Sequence, residues 1–350
     1  MSFPSKPARV LGALALMTVT ALTLAACGGT GSATDSSANE VTLYSADGLA
    51  DWYKSTFDAF TKETGIKVNY VEAGSGEVVS RVEKEKSNPQ ADLLVTLPPF
   101  IQQAKKQGTL QQNTADTGQI PAVDKDPEGQ FVSLANNYLV MIRNNALPVK
   151  PESWKDLLDP TYKQKIQYST PGQAGDGTAM LILLEKLMGD QGALDYLKNL
   201  QINNVGPSSS TGKLGPLVAK GQLSVANSDL QMAMQSIQAD QSAYQVFFPQ
   251  DEKGERVTLP VPYVMGLVKG APHSANGNKL MSYLLSAQVQ ETLSATAFGL
   301  PSNSSVKPGD ANYQSLQGVL KGVKIYQPDW NSVLEAMDTK IKAYNDATGQ

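Results

Sequence analysis

Five short segments concentrate the residues that could recognise a small polar molecule. They are Ser45-Ala46-Asp47-Gly48, Gly74-Ser75-Gly76-Glu77, Thr96-Leu97-Pro98, Thr170-Pro171-Gly172-Gln173-Ala174-Gly175-Asp176-Gly177-Thr178 and Ala226-Asn227-Ser228-Asp229. Ser, Thr and Asn supply hydrogen-bond donors, while Asp and Glu supply acceptors and negative charge. Glycine lets the backbone itself approach a ligand. Several of these segments open amphipathic stretches, so free N–H groups at helix N-termini add donors and a potential that favours anions. Taken singly, Ser75, Thr178 and Asp229 stand where ordinary helix caps stand. Taken together, five such turns after β-rich runs indicate one cleft, because ligands of open α/β sheets sit beyond the strands' carboxyl ends.

The rest of the composition narrows the chemistry. The 350 residues contain one Cys and one His. That excludes an internal disulfide, a Cys₂His₂ zinc site, an iron–sulfur cluster and the usual imidazole-rich metal sites. There is no Walker-type GK[ST], no strand–GxGxxG–helix register, no GxSxG elbow and no DxDxDG calcium loop. A catalytic triad would have to recruit His273, which lies in the polar turn Gly270-Ala271-Pro272-His273-Ser274 and reads as a solvated loop residue. With 29 Lys+Arg against 33 Asp+Glu, the chain has no general field for nucleic acid. These features predict no catalytic group, metal or cofactor.

The elements that must position the turns alternate. Val41–Ser45 reads as a strand, and Trp52–Thr64 as a helix with Tyr53, Phe57 and Phe60 on one face and Gly65 as its stop. Ile66–Val71 (strand), Gly74–Lys86 (helix), Ala91–Thr96 (strand) and Pro99–Gln107 (helix) follow, which predicts βαβ units and a parallel sheet. After a helix over Pro151–Pro160 the alternation resumes. Lys165–Ser169 and Gln222–Ala226 read as strands; Thr178–Met188, Ala193–Leu200 and Leu230–Ala239 read as helices; Tyr244–Phe248 is a further strand. The remainder is mostly helical. Two long β-capable runs, Phe131–Arg143 and Thr258–Val268, are candidates for connections between two α/β lobes. Trp52, Tyr44, Tyr138, Tyr168 and Tyr263 fall near strand ends or cleft-side helices, where one or two could line a pocket.

Residues 1–26 read as a secretory signal: Lys6 and Arg9 precede an apolar run, Val10–Leu24, too short for the ~20 residues of a spanning helix. Leu24-Ala25-Ala26-Cys27 resembles the bacterial lipobox, which implies that Cys27 is lipidated and becomes the mature N-terminus. Residues 27–40 read as a flexible Gly/Ser/Thr-rich tether. Without Lys6 and Arg9, the mature chain holds 27 cations against 33 acids.

The order of segments resembles the extracellular solute-binding proteins of bacterial ABC importers, in their ferric-iron-binding-like branch. The residues that carry this are LYSADGL, ETGIKVNYVEAGSGEVVSR, NPQADLLVT, PESWKDLLDPTYKQKI, STPGQAGDGTA and the late VMGLVKGAP…YLLSAQVQ run. The resemblance implies a type 2 periplasmic-binding-protein fold, with two α/β lobes around a ligand cleft and a two-crossing hinge. Lobe 1 is expected over 41–138 and 260–305, and lobe 2 over 139–259 and 306–350. It also implies a monomeric, non-enzymatic receptor outside the cytoplasm, at the cell surface or in the periplasm, working with an ABC permease and its ATPase.

Iron-binding members of the branch use a tyrosine pair after a GxxxxA-type strand. Here Gly221-Gln222-Leu223-Ser224-Val225-Ala226-Asn227-Ser228-Asp229-Leu230 carries none. The resemblance points instead to 2-aminoethylphosphonate or a similar small organophosphonate, with ferric iron, a phosphate ester or a polyamine as alternatives. Carried onto this chain, it assigns the phosphonate to Ser45, Ser75, Gly76, Thr96, Gly175, Gly177, Thr178 and Asn227. Position and charge type nominate Asp47 and Asp229 for the ammonium, with Asp176 and Glu77 in reserve. A metal-dependent hydrolase and a structural lipoprotein or adhesin are the readings from other classes.

Overall fold

The computed structural model describes residues 39–350. The signal segment, Cys27 and all but the end of the tether therefore lie outside the described residues. In chain order the elements are β1 (Glu40–Ala46), α1 (Ala50–Thr64), β2 (Lys67–Ala73), α2 (Ser75–Lys84), β3 (Leu93–Thr96), α3 (Phe100–Lys106), β4 (Leu110–Gln111), β5 (Phe131–Asn136), β6 (Leu139–Asn144), β7 (Ile166–Gln167), α4 (Gly175–Leu200) and α5 (Gly215–Ala219). They continue as β8 (Val225–Asp229), α6 (Leu230–Gln238), β9 (Tyr244–Phe247), β10 (Val257–Thr258), β11 (Tyr263–Val268), α7 (Ser274–Leu285), α8 (Ala287–Gln290), α9 (Leu293–Ala297), β12 (Leu300–Pro301), α10 (Ala311–Leu320), β13 (Lys324–Ile325) and α11 (Trp330–Thr348).

Two principal sheets organise them. The first runs β12-β5-β11-β3-β1-β2, with β4 also on β11; the second runs β7-β8-β6-β9. In the first, β1, β2 and β3 are parallel as the βαβ pattern predicts. β11 is antiparallel to both β3 and β5, which makes the sheet mixed. The departure has a topological cause: β11 enters from the other lobe and therefore runs opposite to its neighbours.

Both sheets are covered on both faces. In the first, Trp52, Tyr53, Phe57 and Phe60 of α1 pack with Leu43, Leu93 and Met265 on one side. Val78, Val79 and Val82 of α2 pack with Leu94, Phe100 and Ile101 on the other. Fully burying each such side chain contributes roughly 1.5–3 kcal/mol. Around the second sheet, α4 and α11 close one face and α5, α6 and α10 the other.

The two long β-capable runs are the crossings. Phe131–Arg143 breaks at Asn137-Tyr138, leaving β5 in the first sheet and β6 in the second. The return passes through Leu259–Pro262 into β11. The strands run side by side where they cross: Leu139 N donates to Leu259 O at 3.1 Å and Val261 N to Asn137 O at 2.9 Å. Two paired strands that change sheets form a hinge able to bend without breaking either core.

Some local expectations fail for identifiable reasons. The helix expected over Pro151–Pro160 is two short 3₁₀ turns, Asp156–Leu158 and Pro160–Tyr162. Ser153 and Asp156 cap the first turn, Asp156 accepting Ser153 N at 2.9 Å, but Asp159 is held extended (φ −62°, ψ 132°) ahead of Pro160, so the turn cannot continue as a helix. By contrast, the two helices expected at Thr178–Met188 and Ala193–Leu200 are present within α4, separated at Gly189, whose φ 76° and ψ 163° are non-helical. The strand placed at Gln222–Ala226 instead spans Val225–Asp229, so Asn227 and Ser228 belong to β8 rather than to a turn.

Candidate functional site between the lobes

The carboxyl ends of β1, β3 and β8 and the N-termini of α2, α4 and α6 converge where the lobes meet. Asp47, Gly74, Ser75 and Leu97 from the first lobe, and Ala174, Asp176, Ser210, Thr211 and Met232 from the second, enclose a cavity of about 10 Å³. That is room for about one water, so the lobes are closed on each other. A roomier hollow of about 630 Å³, at Trp154, Met188 and Tyr196, is lined by one lobe alone.

Direct contacts hold the closed arrangement. Gly76 N donates to Gln173 O at 3.1 Å, Ser210 Oγ donates to Asp47 Oδ2, and at the rim Gln235 Nε2 donates to Asp51 Oδ2. Glycine is required at the contact. A Cβ on Gly74 would stand 2.6 Å from Ser209 O, one on Gly76 2.7 Å from Gln173 O, and one on Gly175 2.6 Å from Leu97 Cδ1.

The three helix ends differ. Asp229 caps α6, its Oδ1 accepting Met232 N at 2.8 Å. Gly74 before α2 and Ala174 before α4 provide no side-chain cap. First-turn N–H groups lack intrahelical acceptors; apart from Gly76 N, which Gln173 O takes in the closed form, two positive ends without side-chain caps meet the cavity from opposite lobes.

The carboxylates form the second component. Asp176 and Asp229 are both essentially buried. Asp229 Oδ1 accepts Met232 N at 2.8 Å, and its Oδ2 lies 3.5 Å from the Tyr263 hydroxyl. Burial nonetheless pushes its carboxyl up to about 6. Asp176 is pushed well above the usual carboxylate range, first by burial and then by the charge of Asp229, with Asp47 adding to it; the nearby Thr211 hydroxyl, which donates to Ser169 Oγ at 3.0 Å, offsets this only in part. Its Oδ1 has no partner. None of the cavity-lining residues is Lys, Arg or His. Tyr263 ties the acids together, its hydroxyl reaching Asp47 O at 2.9 Å, Gln231 Oε1 at 3.1 Å and Asp229 Oδ2 at 3.5 Å.

The sequence-predicted residues separate accordingly. Asp47, Ser75 and Asp176 line the cavity; Gly76, Gly175 and Asp229 adjoin it. Others brace its walls. Thr96 Oγ1 donates to Ser75 O at 3.0 Å, and Thr178 Oγ1 links Gly172 N to Ala174 O. Asn227 accepts Ser169 N at 2.8 Å and holds Ser169 Oγ, while Gly177 lets α4 press on the Ser169 carbonyl. Two are not brought to the cavity. Ser45 is buried beneath α1, its hydroxyl used by Ala46 O and Tyr53 OH. Glu77 points to solvent, because residue three of α2 falls on the helix's outer face.

Of the aromatics, Tyr263 alone is part of the site. Trp52 Nε1 bonds Thr292 Oγ1, Tyr44 bonds Glu85, Tyr168 bonds Tyr344, and Tyr138 pairs with Pro260 at the crossing. Ser210 and Thr211 were missed. Their segment, Pro207-Ser208-Ser209-Ser210-Thr211-Gly212, has the same composition as the other turns but follows no strand. His273 is not a solvated loop residue either. Its backbone N and Nδ1 contact the buried Asp92 at 2.6 and 3.2 Å.

Among the described residues, no group of three or more His, Cys, Asp or Glu is arranged to hold a metal ion, and no helix is long and apolar enough to cross a membrane.

Two lobes closing on a polar cavity through paired crossings define a ligand-capture protein, and residues 41–299 match the bacterial extracellular solute-binding protein family, to which the chain belongs. It is 47% identical over 315 residues, 88% of this chain and 92% of the other, to a Salmonella typhimurium protein provisionally named a 2-aminoethylphosphonate-binding periplasmic protein. The fold is that of the Campylobacter jejuni ferric binding protein (TM-score 0.72, 20% identity, 88% of this chain and 99% of that one). It is also that of Actinobacillus pleuropneumoniae AfuA, solved with fructose-6-phosphate (TM-score 0.73, 19% identity, 89% and 99%).

Proposed function

We propose that this chain is the capture component of an ABC importer for 2-aminoethylphosphonate or a closely similar aminated organophosphonate. One observation carries the reading: two helix N-termini without side-chain caps and two carboxylates, with a third adjoining, meet at one cation-free cavity. A zwitterion answers both halves. Its phosphonate takes the N–H groups of α2 and α4 with the hydroxyls of Ser75, Ser210 and Thr211. Its ammonium takes Asp47 and Asp229. Burying an ion is tolerable only where it is paired and hydrogen-bonded. The Salmonella relative's name supports the same ligand, and the missing tyrosine pair speaks against iron.

Ligand enters between lobes 41–138 with 260–305 and 139–259 with 306–350, and closure about the crossings completes the site. The two separate sheets support this division. The closed form is then presented, as a monomer, to a permease, with no chemistry on the ligand. The periplasmic relative supports an extracytoplasmic location, and Leu24-Ala25-Ala26-Cys27 supports a lipid anchor on Cys27. The excess of acids gives a polyamine a specific claim as the second reading.

Calorimetry with 2-aminoethylphosphonate, ethylphosphonate, spermidine and ferric citrate decides among these. The aminated phosphonate is expected to bind, and ethylphosphonate to bind at least about 30-fold more weakly, the equivalent of roughly 2 kcal/mol for an unpaired buried carboxylate. Equal affinity for the two phosphonates, or preference for spermidine or ferric citrate, removes the proposal.

A further inference from the structure

The cavity holds more negative charge than one ammonium can answer. Asp176 and Asp229 are both buried and act on each other, and Asp47 adds its charge to Asp176. Two carboxyl groups sharing a buried site do not both ionise readily; one retains a proton. Their hydrogen bonds indicate which. Asp229 caps α6 by accepting Met232 N at 2.8 Å and has the Tyr263 hydroxyl 3.5 Å from its Oδ2, contacts that suit an anion. The Thr211 hydroxyl beside Asp176 donates to Ser169 Oγ, and Asp176 Oδ1 is buried, unpartnered and on the cavity wall. The titratable groups facing Asp176 are Asp229 at the end of β8, Asp47 after β1 and Tyr263 on β11. All are acids or neutral phenols. Lys213, the nearest cation in sequence to Thr211, is exposed.

Resting on the zwitterion reading, we propose that Asp176 binds the ligand as a neutral carboxylic acid, donating its proton to a phosphonate oxygen beside the N-terminus of α4. Asp47 and Asp229 remain the anions for the ammonium. The proton stays on Asp176, and no bond other than a hydrogen bond is made. The arrangement accounts for a carboxyl at an anion site: ionised, Asp176 would repel the phosphonate; neutral, it adds one donor to the helix N–H groups. It also couples capture to pH. Above the titration of Asp176 in the free protein, binding must take up a proton, so affinity falls by up to tenfold per pH unit.

The test has two parts. First, carboxyl ¹³C NMR follows Asp176 in the ligand-free wild type, assigned by its loss in Asp176→Asn. A neutral carboxyl at pH 7 is expected, and an ionised one overturns the proposal whether or not any ligand binds. Second, 2-aminoethylphosphonate is titrated calorimetrically from pH 5.5 to 8.5 in buffers of different ionisation enthalpy, with Asp176→Asn and Asp176→Ala alongside. The wild type should take up a proton at the upper end of the range. Asp176→Asn, which keeps a neutral donor, should lose that uptake and flatten the profile; Asp176→Ala should bind at least tenfold more weakly throughout. Proton release by the wild type, or a pH profile in Asp176→Asn that matches the wild type, overturns it. If the wild type fails to bind the aminated phosphonate at every pH, the functional reading falls, and the carboxyl titration still decides the state of Asp176.

Discussion

Asp92 and Asp176 are both buried carboxyl groups in this protein, and their surroundings are opposite. Asp92, just ahead of β3, is fully buried, and both of its carboxylate oxygens have donors. Its Oδ2 accepts Thr42 N at 2.7 Å and the His273 ring, while its Oδ1 accepts His273 N at 2.6 Å. It ties the start of β3 to β1 and to the loop that opens α7. Asp176, in the first turn of α4, has two neighbouring acids and an oxygen with no partner. A buried acid that joins elements is saturated by the fold; a buried acid left short of donors is one whose partners come from elsewhere. On the proposed reading, the difference separates a carboxyl that holds the fold from one that meets the ligand.

The largest expected effect comes from breaking the saturated member. Asp92→Ala leaves the Thr42 and His273 N–H groups without their acceptor inside the first lobe. At roughly 1–3 kcal/mol per orphaned buried group, the loss should be about 3 kcal/mol or more in chemical denaturation. Whatever fraction remains folded should bind ligand with wild-type affinity, because Asp92 lies away from the cavity. A ligand-specific defect with unchanged stability would erase the contrast between the two acids.

Asp176→Asn should act in the other direction and only over part of the pH range. The raised Asp176 titration means that the folded protein keeps a proton which the unfolded chain releases near pH 4. Wild-type stability without ligand therefore falls as pH rises from there through the folded value, at up to about 1.4 kcal/mol per unit. Asp229, pushed up to about 6, adds to the same slope. The variant removes the larger contribution. Its thermal midpoint should be close to wild type at pH 4 and several degrees higher at pH 8. A midpoint lower than wild type at pH 8 would mean that the ionised carboxylate stabilises the fold.

The same contrast explains what could be read from the sequence. Element types were legible where period and punctuation agreed, as in α1 with Tyr53, Phe57 and Phe60 inward and Gly65 in the left-handed region at φ 73°. Both crossings were legible as β-capable runs too long for one strand. The turns were legible as a set, and Asp47, Ser75 and Asp176 reached the cavity. Individual side chains were less so, because a one-residue difference in where a strand or helix begins reverses which way a residue points: Glu77 turned outward and Ser45 inward. Ser210 and Thr211 were hidden because their loop is placed by tertiary contacts, with Thr170 N donating to Ser208 O at 2.8 Å and Ser208 N to Thr170 Oγ1 at 3.0 Å. The pairing of His273 with Asp92 spans 181 positions and no local pattern announces it.

That pairing supplies the smallest and most discriminating test. His273→Ala removes the ring contact to Asp92 but keeps the backbone N–H that donates to Oδ1, and Thr42 N still donates to Oδ2. Asp92 thus loses one of its three contacts, and the site has access to water because the ring is 17% exposed. A side-chain hydrogen bond of this kind contributes about 1 kcal/mol. The variant should lose about that much in urea denaturation, with no change in the affinity for 2-aminoethylphosphonate. A loss as large as that of Asp92→Ala would show that the ring, and not the two backbone donors, is what saturates the carboxylate. Asp92 would then depend on one replaceable partner, which would narrow its difference from Asp176.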